Sequence, residues 1–452
     1  MRLKEYLKDC DRVYHATLDP KSSGVVRIHL VPPEKPKPQI PWLVILNGYS
    51  VLPLQSAWAV LLKEFLEALN KRGNKPLDEG EIDETVKETL AAVKKLFPSV
   101  PLKMLREDFG NIVKTLREIA AGNEPPVFIG YKTLASYAKY MSAPHRMDLM
   151  VTPASKNGRW NCNLKCAFCY CAGEPTADAS YELSTDEWKK IIDYCRYARI
   201  PALTFTGGEP TLRKDLPELI AYAEWFVTRL NTNGLLLTEE LCKKFYDASL
   251  DSVQITLYSA DPEIHNALVG ADGFEKTVQG IKNAKAAGLD VSINTPLCYL
   301  NRDYLKTIEF AMSLGVRYFS CSGLIPSGGA LKKREDMRAL TKDEITEIVI
   351  SAKKFAYVKD FAEISFTSPG WIDEQVLKKN GMVVPACGAC LSNMAIAPNG
   401  DVIPCQSWLD GEILGNMLTD TWRSIWNGEL CKSIRKRACE SKNACLLKNE
   451  NK

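Results

Sequence analysis

The sequence predicts an α/β protein made of a partial (β/α)6 TIM-like barrel, a small α+β domain before the barrel and a cysteine-rich extension after it. Two observations lead to this prediction. Six apolar strand patterns between residues 147 and 330 end in polar or glycine-rich loops, and each of the first five is followed by a helical pattern, which is typical of a parallel sheet. Cysteines cluster just after the first of these strands and again beyond the last one.

Composition shifts predict the domain boundaries, which we place at 1–122, 123–146, 147–330, 331–380 and 381–452. The first segment is the α+β domain, with predicted strands over 12–17, 25–31 and 42–46 and helices over 56–69, 84–97 and up to about residue 120. The turn-forming stretch GNEPP at 122–126 opens the linker. A charged helix and one strand, EISFTSP, connect the barrel to the cysteine-rich extension.

Charge and hydropathy exclude several classes of partner. The 452 residues carry a formal net charge of +3, which is too small to indicate nucleic acid or an anionic membrane surface. The uncharged stretch 40–62 is broken by Asn, Gly, Ser, Pro and Gln, so it does not predict a membrane span. The first residues lack the apolar segment of a secretion signal. We therefore expect a cytoplasmic protein without a nucleic acid or membrane partner.

The chain has fifteen cysteines, and their placement separates two roles. The cytosol keeps thiols reduced, so clustered cysteines predict metal binding rather than disulfides. Five others stand singly in apolar or mixed surroundings, where free cysteine acts as a small buried hydrophobic residue: Cys10, Cys195, Cys242, Cys298 and Cys321.

Cys162, Cys166 and Cys169 form a C-x3-C-x2-C pattern in the loop after the first barrel strand, where the active sites of such barrels lie. Three thiolates can hold three irons of a cubane 4Fe-4S cluster and leave the fourth iron open to a ligand. Zinc is the alternative, although structural zinc needs four closed ligands. Cys171 is near in sequence, but its C-x-C spacing makes an awkward chelate, so we interpret it as a neighbour rather than a ligand.

The stretch TGGEP at 206–210 follows the second strand, and with the cysteine pattern it resembles the radical S-adenosylmethionine (radical SAM) superfamily. The resemblance covers 147–330 and implies that the open iron binds the amino and carboxylate groups of S-adenosylmethionine (SAM). It also implies a reductant such as flavodoxin or ferredoxin. Reductive cleavage of SAM then gives a 5′-deoxyadenosyl radical that abstracts hydrogen from the substrate.

The same resemblance assigns candidate SAM contacts. Gly207 and Gly208 let the backbone approach the ligand, and Glu209 offers a carboxylate to the SAM ammonium group. Further candidates at later strand ends are Thr232, Ser259, Asn294 and, as a wall for adenine, Ile325. The alternative is structural, because Asn and Ser at strand ends also close turns and an apolar residue there can belong to the core. No residue is assigned to the radical step itself.

The second cysteine group resembles the auxiliary-cluster extension called SPASM, or its shorter relative Twitch. Its pattern is Cys387-x2-Cys390-x9-Gly400-x4-Cys405, in which the glycine makes a hairpin. The two auxiliary clusters of a full SPASM domain would need about eight ligands, and this extension has six cysteines, so we predict one auxiliary 4Fe-4S cluster. Its predicted ligands are Cys387, Cys390, Cys405 and Cys445, with Cys439 as a substitute for the last or an open site that binds substrate. Cys431 lies in a helical pattern and is expected to pack in the core.

The N-terminal order of strands and helices resembles the winged-helix-like peptide-recognition element of enzymes that mature ribosomally made peptides. FPSVPLKMLREDFGNIVKTL at 97–116 is the most similar part. The resemblance implies that a leader peptide adds as a strand to a sheet edge. The alternatives are an accessory domain that caps the barrel and, because the helices are not densely basic, a less favoured DNA-binding winged helix.

Together these patterns predict a radical SAM enzyme that modifies a ribosomally synthesised precursor peptide, for example by a thioether or carbon–carbon crosslink. A maturase for a small molecule or cofactor precursor is the alternative within the same superfamily. An iron–sulfur electron carrier or a zinc-binding interaction protein is the alternative outside enzymes, but TGGEP and the barrel would have no purpose there.

Overall fold

The computed structural model describes residues 3–18, 26–46, 50–73, 77–120, 137–152, 160–172, 182–325, 327–331, 335–358, 363–367, 372, 374–380, 386–409, 411–441 and 445–447. The chain divides into two compact units, Met1–Ala143 with Arg196–Pro201, and Pro144–Cys195 with Ala202–Lys452. We call them the N-terminal unit and the barrel unit and describe each by itself. The finer domain boundaries proposed from the sequence stay a prediction.

Within its described residues, the N-terminal unit contains an antiparallel sheet of four strands in the order β1-β2-β3-β4. The strands are β1 (Tyr14–Leu18), β2 (Val26–Val31), β3 (Trp42–Leu46) and β4 (Ser50–Leu54). The helices are α1 (Leu3–Lys8), α2 (Ser56–Lys71), α3 (Glu79–Leu96) and α4 (Leu102–Ala120).

Helix α1, strand β4 and the start of helix α3 differ from the sequence prediction, which has the unit begin with a strand. Strand β4 was not predicted, because it contains Pro53, which weakens a strand pattern and is tolerated at a sheet edge. Helix α3 begins before the predicted residue 84, because Asp78 and Glu81 form a capping box. The Asp78 carboxylate accepts from the Glu81 N–H at 2.8 Å, and the Glu81 carboxylate accepts from the Asp78 N–H at 3.2 Å.

The core of the N-terminal unit is formed by the sheet and the apolar stripes of its helices. Every residue of β3 is buried, and Leu30 of β2 and Leu66 of α2 are fully buried beside it. Phe65 and Phe109 join α2 to α4 through an edge-to-face contact with 4.8 Å between ring centroids. The buried side chains of this unit form one hydrophobic cluster.

The barrel unit contains a sheet whose described strands follow the order β11-β10-β9-β8-β7-β6-β5-β12-β13-β14. The six predicted strands are all present and parallel, which confirms the predicted fold class. They are β5 (Arg146–Met150), β6 (Ala202–Thr206), β7 (Val227–Thr232), β8 (Ser252–Thr256), β9 (Asp290–Pro296) and β10 (Tyr318–Ser322). The predicted connecting strand, β11 (Glu363–Thr367), extends the sheet in parallel to β10.

Helices alternate with these strands. They are α5 (Thr185–Tyr197), α6 (Leu216–Tyr222), α7 (Glu239–Asp247), α8 (Pro262–Val269), α9 (Phe274–Ala286), α10 (Tyr304–Ser313), α11 (Lys342–Val358) and α12 (Glu374–Lys379). No helix in the described part of the chain is long and apolar enough to cross a membrane.

The cysteine-rich extension continues the barrel sheet. Strand β12 (Asn393–Ile396) lies parallel to β5, and β13 (Asp401–Ile403) returns antiparallel to β12 and pairs with β14 (Gly415–Asn416). Gly400 makes the return with a φ of 87°, as the hairpin prediction requires. Helices α13 (Trp422–Asn427) and α14 (Glu429–Glu440) follow. The junction of β12 with β5 was not predicted, because no local pattern encodes the partner of a strand.

We expect Leu30→Ala to lower the free energy of unfolding of the N-terminal unit by about 2–5 kcal/mol, because the leucine is fully buried and its truncation leaves a cavity. Leu102→Ala is the matched control, since Leu102 is 50% exposed and its loss should change stability by about 0.5 kcal/mol or less. Urea unfolding of the full chain followed by tryptophan fluorescence measures both. Equal effects of the two substitutions would contradict the described core.

Candidate functional site

The first three clustered cysteines lie in the described loop 160–172, which follows β5. Backbone hydrogen bonds attach this loop to the end of α8. The Lys165 N–H donates to the Val269 carbonyl at 3.0 Å, and the Ala167 N–H donates to the Leu268 carbonyl at 2.8 Å. The loop is therefore held by the barrel rather than by its own contacts alone.

An apolar cluster surrounds the cysteine loop. Cys162 and Cys166 are partly buried and pack against it. Its buried members are Leu164, Tyr258, Leu268, Val269, Cys298, Leu324 and Met337. Such a shell limits the access of water, which a redox cluster and a radical reaction both require.

The thiols of this loop interact electrostatically. Burial raises the pKa of the Cys162 thiol to about 11, and the charges of Glu209 and Cys169 add to the increase. Burial also raises the pKa of Cys166 above its usual range, and the thiols of Cys169 and Cys162 act in the same direction. The Leu164 N–H, 3.5 Å from the Cys162 sulfur, donates to it. These thiols need a nearby cation, such as iron, to become thiolates.

The donor set of this loop fits a cubane cluster. In the described part of the chain, no three His, Cys, Asp or Glu side chains are arranged to hold one metal ion. A 4Fe-4S cluster binds each cysteine on a different iron, so its ligand sulfurs lie farther apart than those around one ion. Three partly buried thiols on one loop, whose charges act on one another, match this requirement.

The glycines of TGGEP allow two loops to pack closely. Gly207 has a φ of 139°, and a Cβ there would lie 2.1 Å from Thr152 Oγ1. A Cβ on Gly208 would lie 2.2 Å from the carbonyl oxygen of Asn161, which begins the cysteine loop. The Gly208 N–H donates to Thr152 Oγ1 at 2.6 Å. The structure thus gives these glycines a packing role, and their contact with SAM stays a prediction.

The Glu209 carboxylate is buried and accepts hydrogen bonds from its neighbours. The Thr232 hydroxyl donates to it at 2.7 Å, the Asn233 N–H at 2.8 Å and the Thr211 N–H at 3.0 Å. Burial raises the pKa of Glu209, although these hydrogen bonds oppose the increase. The carboxylate thus links the ends of β6 and β7. An ammonium group that binds Glu209 would contact the same two oxygens that accept these hydrogen bonds.

The remaining predicted SAM contacts have structural partners. Ser259 Oγ accepts from the Asp261 N–H at 3.0 Å, which is the turn-closing alternative considered from the sequence. Asn294 Oδ1 accepts from the Ser320 hydroxyl at 2.9 Å. The Asn294 NH2 group is therefore the group that would donate to the carboxylate of SAM. Ile325 is half-buried. Their roles toward SAM stay predictions.

Sequence reasoning missed two contacts of the cysteine loop. Asn233 Nδ2 donates to Asn163 Oδ1 at 2.7 Å and lies 4.0 Å from the Cys162 sulfur. The Gly329 N–H donates to the Cys169 carbonyl at 2.9 Å. Both residues belong to motifs that the sequence analysis singled out, Asn233 to NTNG and Gly329 to PSGG, but only the fold shows which groups they contact.

Cys171 is a buried residue of the same loop. Its thiol donates to the Gly207 carbonyl oxygen at 3.7 Å. This position is consistent with the sequence interpretation of Cys171 as a neighbour of the cluster ligands, which stays a prediction.

The second cysteine group forms around the β12–β13 hairpin. The Cys390 N–H donates to the Pro404 carbonyl at 3.1 Å, which brings the two arms together. Burial raises the pKa of Cys405, and the charges of Cys387 and Cys445 add to the increase. The thiols of Cys387, Cys405 and Cys445 are therefore neighbours.

The candidate substitute, Cys439, has different surroundings. Burial raises the pKa of its thiol, while the charge of Arg435 opposes the increase and that of Glu440 supports it. The charge of Cys445 acts on the Cys405 thiol, and the choice between Cys445 and Cys439 as a ligand stays a prediction.

One face of the parallel sheet is polar and the other apolar. Residues in register on the apolar face include Leu149, Phe205, Leu230 and Val253. Because right-handed crossovers place the helices against one face, the polar residues face the barrel interior. The polar residues form three rows across neighbouring strands. The first row is Asp148, Thr204, Arg229 and Ser252, the second is Asn231, Gln254 and Ser292, and the third is Asn294, Ser320 and Ser365.

Three polar atoms of this interior face are buried without a hydrogen-bond partner among the described residues: Thr204 Oγ1, Asn231 Oδ1 and Ser292 Oγ. Buried polar atoms are almost always paired, with protein, water or ligand. The barrel interior is therefore suited to a ligand that offers several hydrogen bonds.

The fold and these two cysteine sites define a barrel enzyme with two iron–sulfur sites, and comparison with known proteins gives its family. Residues 161–311 match the radical SAM superfamily, and residues 387–446 match SPASM, an iron–sulfur cluster-binding domain. A probable GTP 3′,8-cyclase from Saccharolobus islandicus is 31% identical over 254 residues, which cover 54% of this chain and 79% of that protein. The chain belongs to the radical SAM superfamily. Its cofactors are SAM, a 4Fe-4S cluster and an auxiliary cluster.

Other similar proteins share part or most of the chain. The Fe-coproporphyrin III synthase of Methanosarcina barkeri is 28% identical over 305 residues, which cover 62% of this chain and 76% of that protein. Among solved structures, Streptococcus suis SuiB bound to precursor peptide SuiA aligns with a TM-score of 0.59 and 15% identity, covering 91% of this chain and 93% of SuiB. The structural likeness confirms the fold, while the peptide-recognition assignment of the N-terminal unit stays a prediction.

We expect Gly208→Ala to displace the cysteine loop, because the new Cβ would lie 2.2 Å from the Asn161 carbonyl oxygen. Iron per chain after anaerobic reconstitution should fall, and the apo protein should unfold at a lower temperature. Gly110→Ala is the matched control, since a Cβ at this position of α4 meets no atom within 4 Å. That substitution should leave the iron content unchanged and stabilise the helix by about 0.5–1 kcal/mol. Normal iron content and unfolding in Gly208→Ala would refute the close packing of the two loops.

Proposed function

We propose that this radical SAM enzyme abstracts hydrogen from a ribosomally synthesised peptide and installs a modification such as a thioether or carbon–carbon crosslink. Cys162, Cys166 and Cys169 would hold the SAM-binding cluster, which supplies a 5′-deoxyadenosyl radical by reductive cleavage of SAM. A flavodoxin or ferredoxin would provide the electron, and the enzyme would act in the cytoplasm. Everything else in the reaction depends on how the chain positions SAM and the peptide.

The strand ends of the barrel would bind SAM. The Glu209 carboxylate would pair with its ammonium group, in the charge-assisted manner that buried carboxylates favour. The Asn294 NH2 group would donate to its carboxylate or ribose, with Ser320 holding the amide in place at 2.9 Å. Thr232 and Ser259 would act mainly through the loops that they brace. Ile325 would cover one face of adenine.

One auxiliary cluster would be held by Cys387, Cys390, Cys405 and Cys445. The electrostatic contacts of Cys405 with Cys387 and Cys445 support three of these ligands, and the Cys390 N–H bond to Pro404 supports the fourth. The domain boundaries at 122, 146, 330 and 380 would then separate the peptide-binding, linking, barrel, connecting and auxiliary parts of the chain.

The unpaired polar atoms of the barrel interior carry the argument for a peptide. Thr204, Asn231 and Ser292 each bury an atom that needs a hydrogen-bond partner. A peptide segment offers an N–H and a C=O at each residue, and it can supply these bonds along the height of the barrel.

The N-terminal unit supplies the second argument. Its antiparallel sheet has edge strands β1 and β4 in the described order, and an extended leader peptide can pair with such an edge. The solved structure of SuiB, which aligns with nearly the whole chain, is described as bound to a precursor peptide. The likeness itself is one of fold, so the peptide is our inference.

A small-molecule substrate is the second candidate. The relatives with the higher sequence identity are named as a GTP cyclase and a coproporphyrin-related synthase, and both align with only part of this chain. A polar barrel interior also suits a nucleotide.

The test is an anaerobic assay of the reconstituted chain with SAM and dithionite. We expect short peptides encoded beside the gene to increase formation of 5′-deoxyadenosine and to change mass by the loss of two hydrogens if a crosslink forms. Stimulation by GTP or a porphyrin precursor, with no change in any peptide, would favour the small-molecule alternative.

Paired cysteine variants control for damage to the fold. Cys169→Ala removes a proposed ligand and should abolish SAM cleavage. Cys242→Ala removes a buried thiol of α7 outside both cysteine groups and should keep it. Retained cleavage in Cys169→Ala would contradict the proposed ligand set.

A further inference from the structure

Helix α8 contacts two parts of the proposed SAM site. Two carbonyl groups of its last turn accept from the N–H groups of the cysteine loop. One turn earlier, His265 Nδ1 accepts from the Tyr258 N–H at 3.3 Å. Tyr258 lies in the turn that follows β8, residues 257–261, which also carries the candidate SAM contact Ser259. We call this segment the Ser259 turn. A single helix therefore links the cysteine loop to the Ser259 turn.

Other side chains hold the backbone of the Ser259 turn as well. Asn301 Nδ2 donates to the Tyr258 carbonyl at 2.9 Å, and Thr307 Oγ1 accepts from the Ala260 N–H at 3.2 Å. The N–H and the C=O of Tyr258 are thus both bound by buried side chains, those of His265 and Asn301. Buried backbone groups need such partners, so these side chains determine where the turn lies.

The side chain of Tyr258 extends this link to the cysteine loop. Its ring is buried and belongs to the apolar cluster against which Cys162 and Cys166 pack. The backbone of the next residue, Ser259, follows directly from the residue that His265 holds. A displacement of Tyr258 would therefore move Ser259 relative to the proposed cluster ligands.

The surroundings of His265 indicate that its Nδ1 atom is the reason for a histidine at this position. The residue is 0% exposed, and its ring lies 6.3 Å from that of Tyr258 and 5.7 Å from that of Phe274. Nδ1 accepts and carries no proton, so the proton is on Nε2, which has no hydrogen-bond partner among the described residues. Burial lowers the pKa of His265 to about 4, which keeps the ring neutral near pH 7.

An apolar side chain would fill the same space without this cost, because a buried N–H without a partner is unfavourable. It could not accept from the Tyr258 N–H. The hydrogen bond to the Ser259 turn is therefore what the imidazole adds.

We propose that His265 is a positioning residue for SAM, which holds the Ser259 turn in place relative to the cysteine loop. The inference rests on the proposed binding of SAM at the strand ends. His265 is fully buried and would act through Tyr258 rather than by touching SAM. A turn that is already fixed pays less ordering entropy when a ligand binds, so loss of this hydrogen bond should weaken SAM binding.

The test measures the dissociation constant of SAM by equilibrium dialysis with the reconstituted holoenzyme, without reductant so that SAM is not cleaved. His265→Gln and His265→Asn form a matched pair of amides. The Asn Oδ1 atom lies two bonds from Cβ, as Nδ1 does, whereas the Gln oxygen lies one bond farther. We expect His265→Gln to weaken SAM binding about tenfold and His265→Asn to stay within about threefold of the parent. Both should keep the parent's iron per chain.

Two further variants control for damage to the fold. Asn301→Ala removes the donor to the Tyr258 carbonyl and should weaken SAM binding as His265→Gln does, which keeps the test decisive if His265→Gln does not fold. Thr228→Val removes a hydroxyl that donates to the Ser249 carbonyl at 3.2 Å, near the opposite, amino end of β7. It should lower the unfolding temperature and leave SAM binding unchanged.

Four results would overturn the proposal. Parent-like SAM binding in His265→Gln and Asn301→Ala would show that the turn does not need to be held. Equal weakening in His265→Asn and His265→Gln would assign the effect to ring packing. Loss of iron in His265→Gln would place its role in the cysteine loop, and weakened binding in Thr228→Val would make the effect one of general stability.

These readouts do not need the peptide. A parent protein that binds SAM but shows none of the expected differences contradicts only the role of His265. A parent protein that binds SAM and modifies no peptide contradicts only the proposed peptide activity, so the two failures are distinguishable.

Discussion

Strand β5 is paired in parallel on both sides, with β6 of the barrel and β12 of the cysteine-rich extension, and both cysteine groups depend on this junction. Leu149 is in register with Phe205 on one side and Ile396 on the other. The first cysteine loop follows the carboxyl end of β5. Cys390 precedes β12 and Cys405 follows the antiparallel β13, so these two lie near the amino end of β5. At about 3.3 Å per residue, the strand separates the two groups by roughly 15 Å.

The space between the two groups is polar, which is unusual for the inside of a parallel sheet. Asp148, in the middle of β5, is fully buried and paired with Arg146 at 2.8 Å. The charge of Asp148 acts both on Tyr170 of the first cysteine loop and on Cys405 of the second cysteine group. A sheet that packed for stability alone would fill this interior with apolar residues. A polar lining of this kind is typical of an interior that binds water or a ligand rather than one that packs only for stability.

Patterns within short stretches of the sequence predicted the strands and the cysteine groups. Strands that end in polar loops gave the six parallel strands, and cysteine spacing identified both cysteine groups. The partners of β12 and of Asn301 could not be predicted, because pairing between distant segments leaves no local signal. Glu209 shows a further limit, since its place in TGGEP predicted a ligand contact but not the three neighbours that donate to its carboxylate. The sequence identifies which polar groups are present, whereas only the fold shows which donors bind the same carboxylate oxygen.

The two cysteine groups both offer cysteine ligands, and they differ mainly in the charge of the residues around them. The carboxylate of Glu209 and the neighbouring thiols act on Cys162, and all of them are negative or become so. Arg435, by contrast, donates directly to the Cys431 sulfur and to the Cys390 carbonyl oxygen. Negative surroundings disfavour addition of an electron and positive ones favour it, so the two sites should differ in reduction potential in a defined order. A cluster that must reduce SAM needs the lower potential.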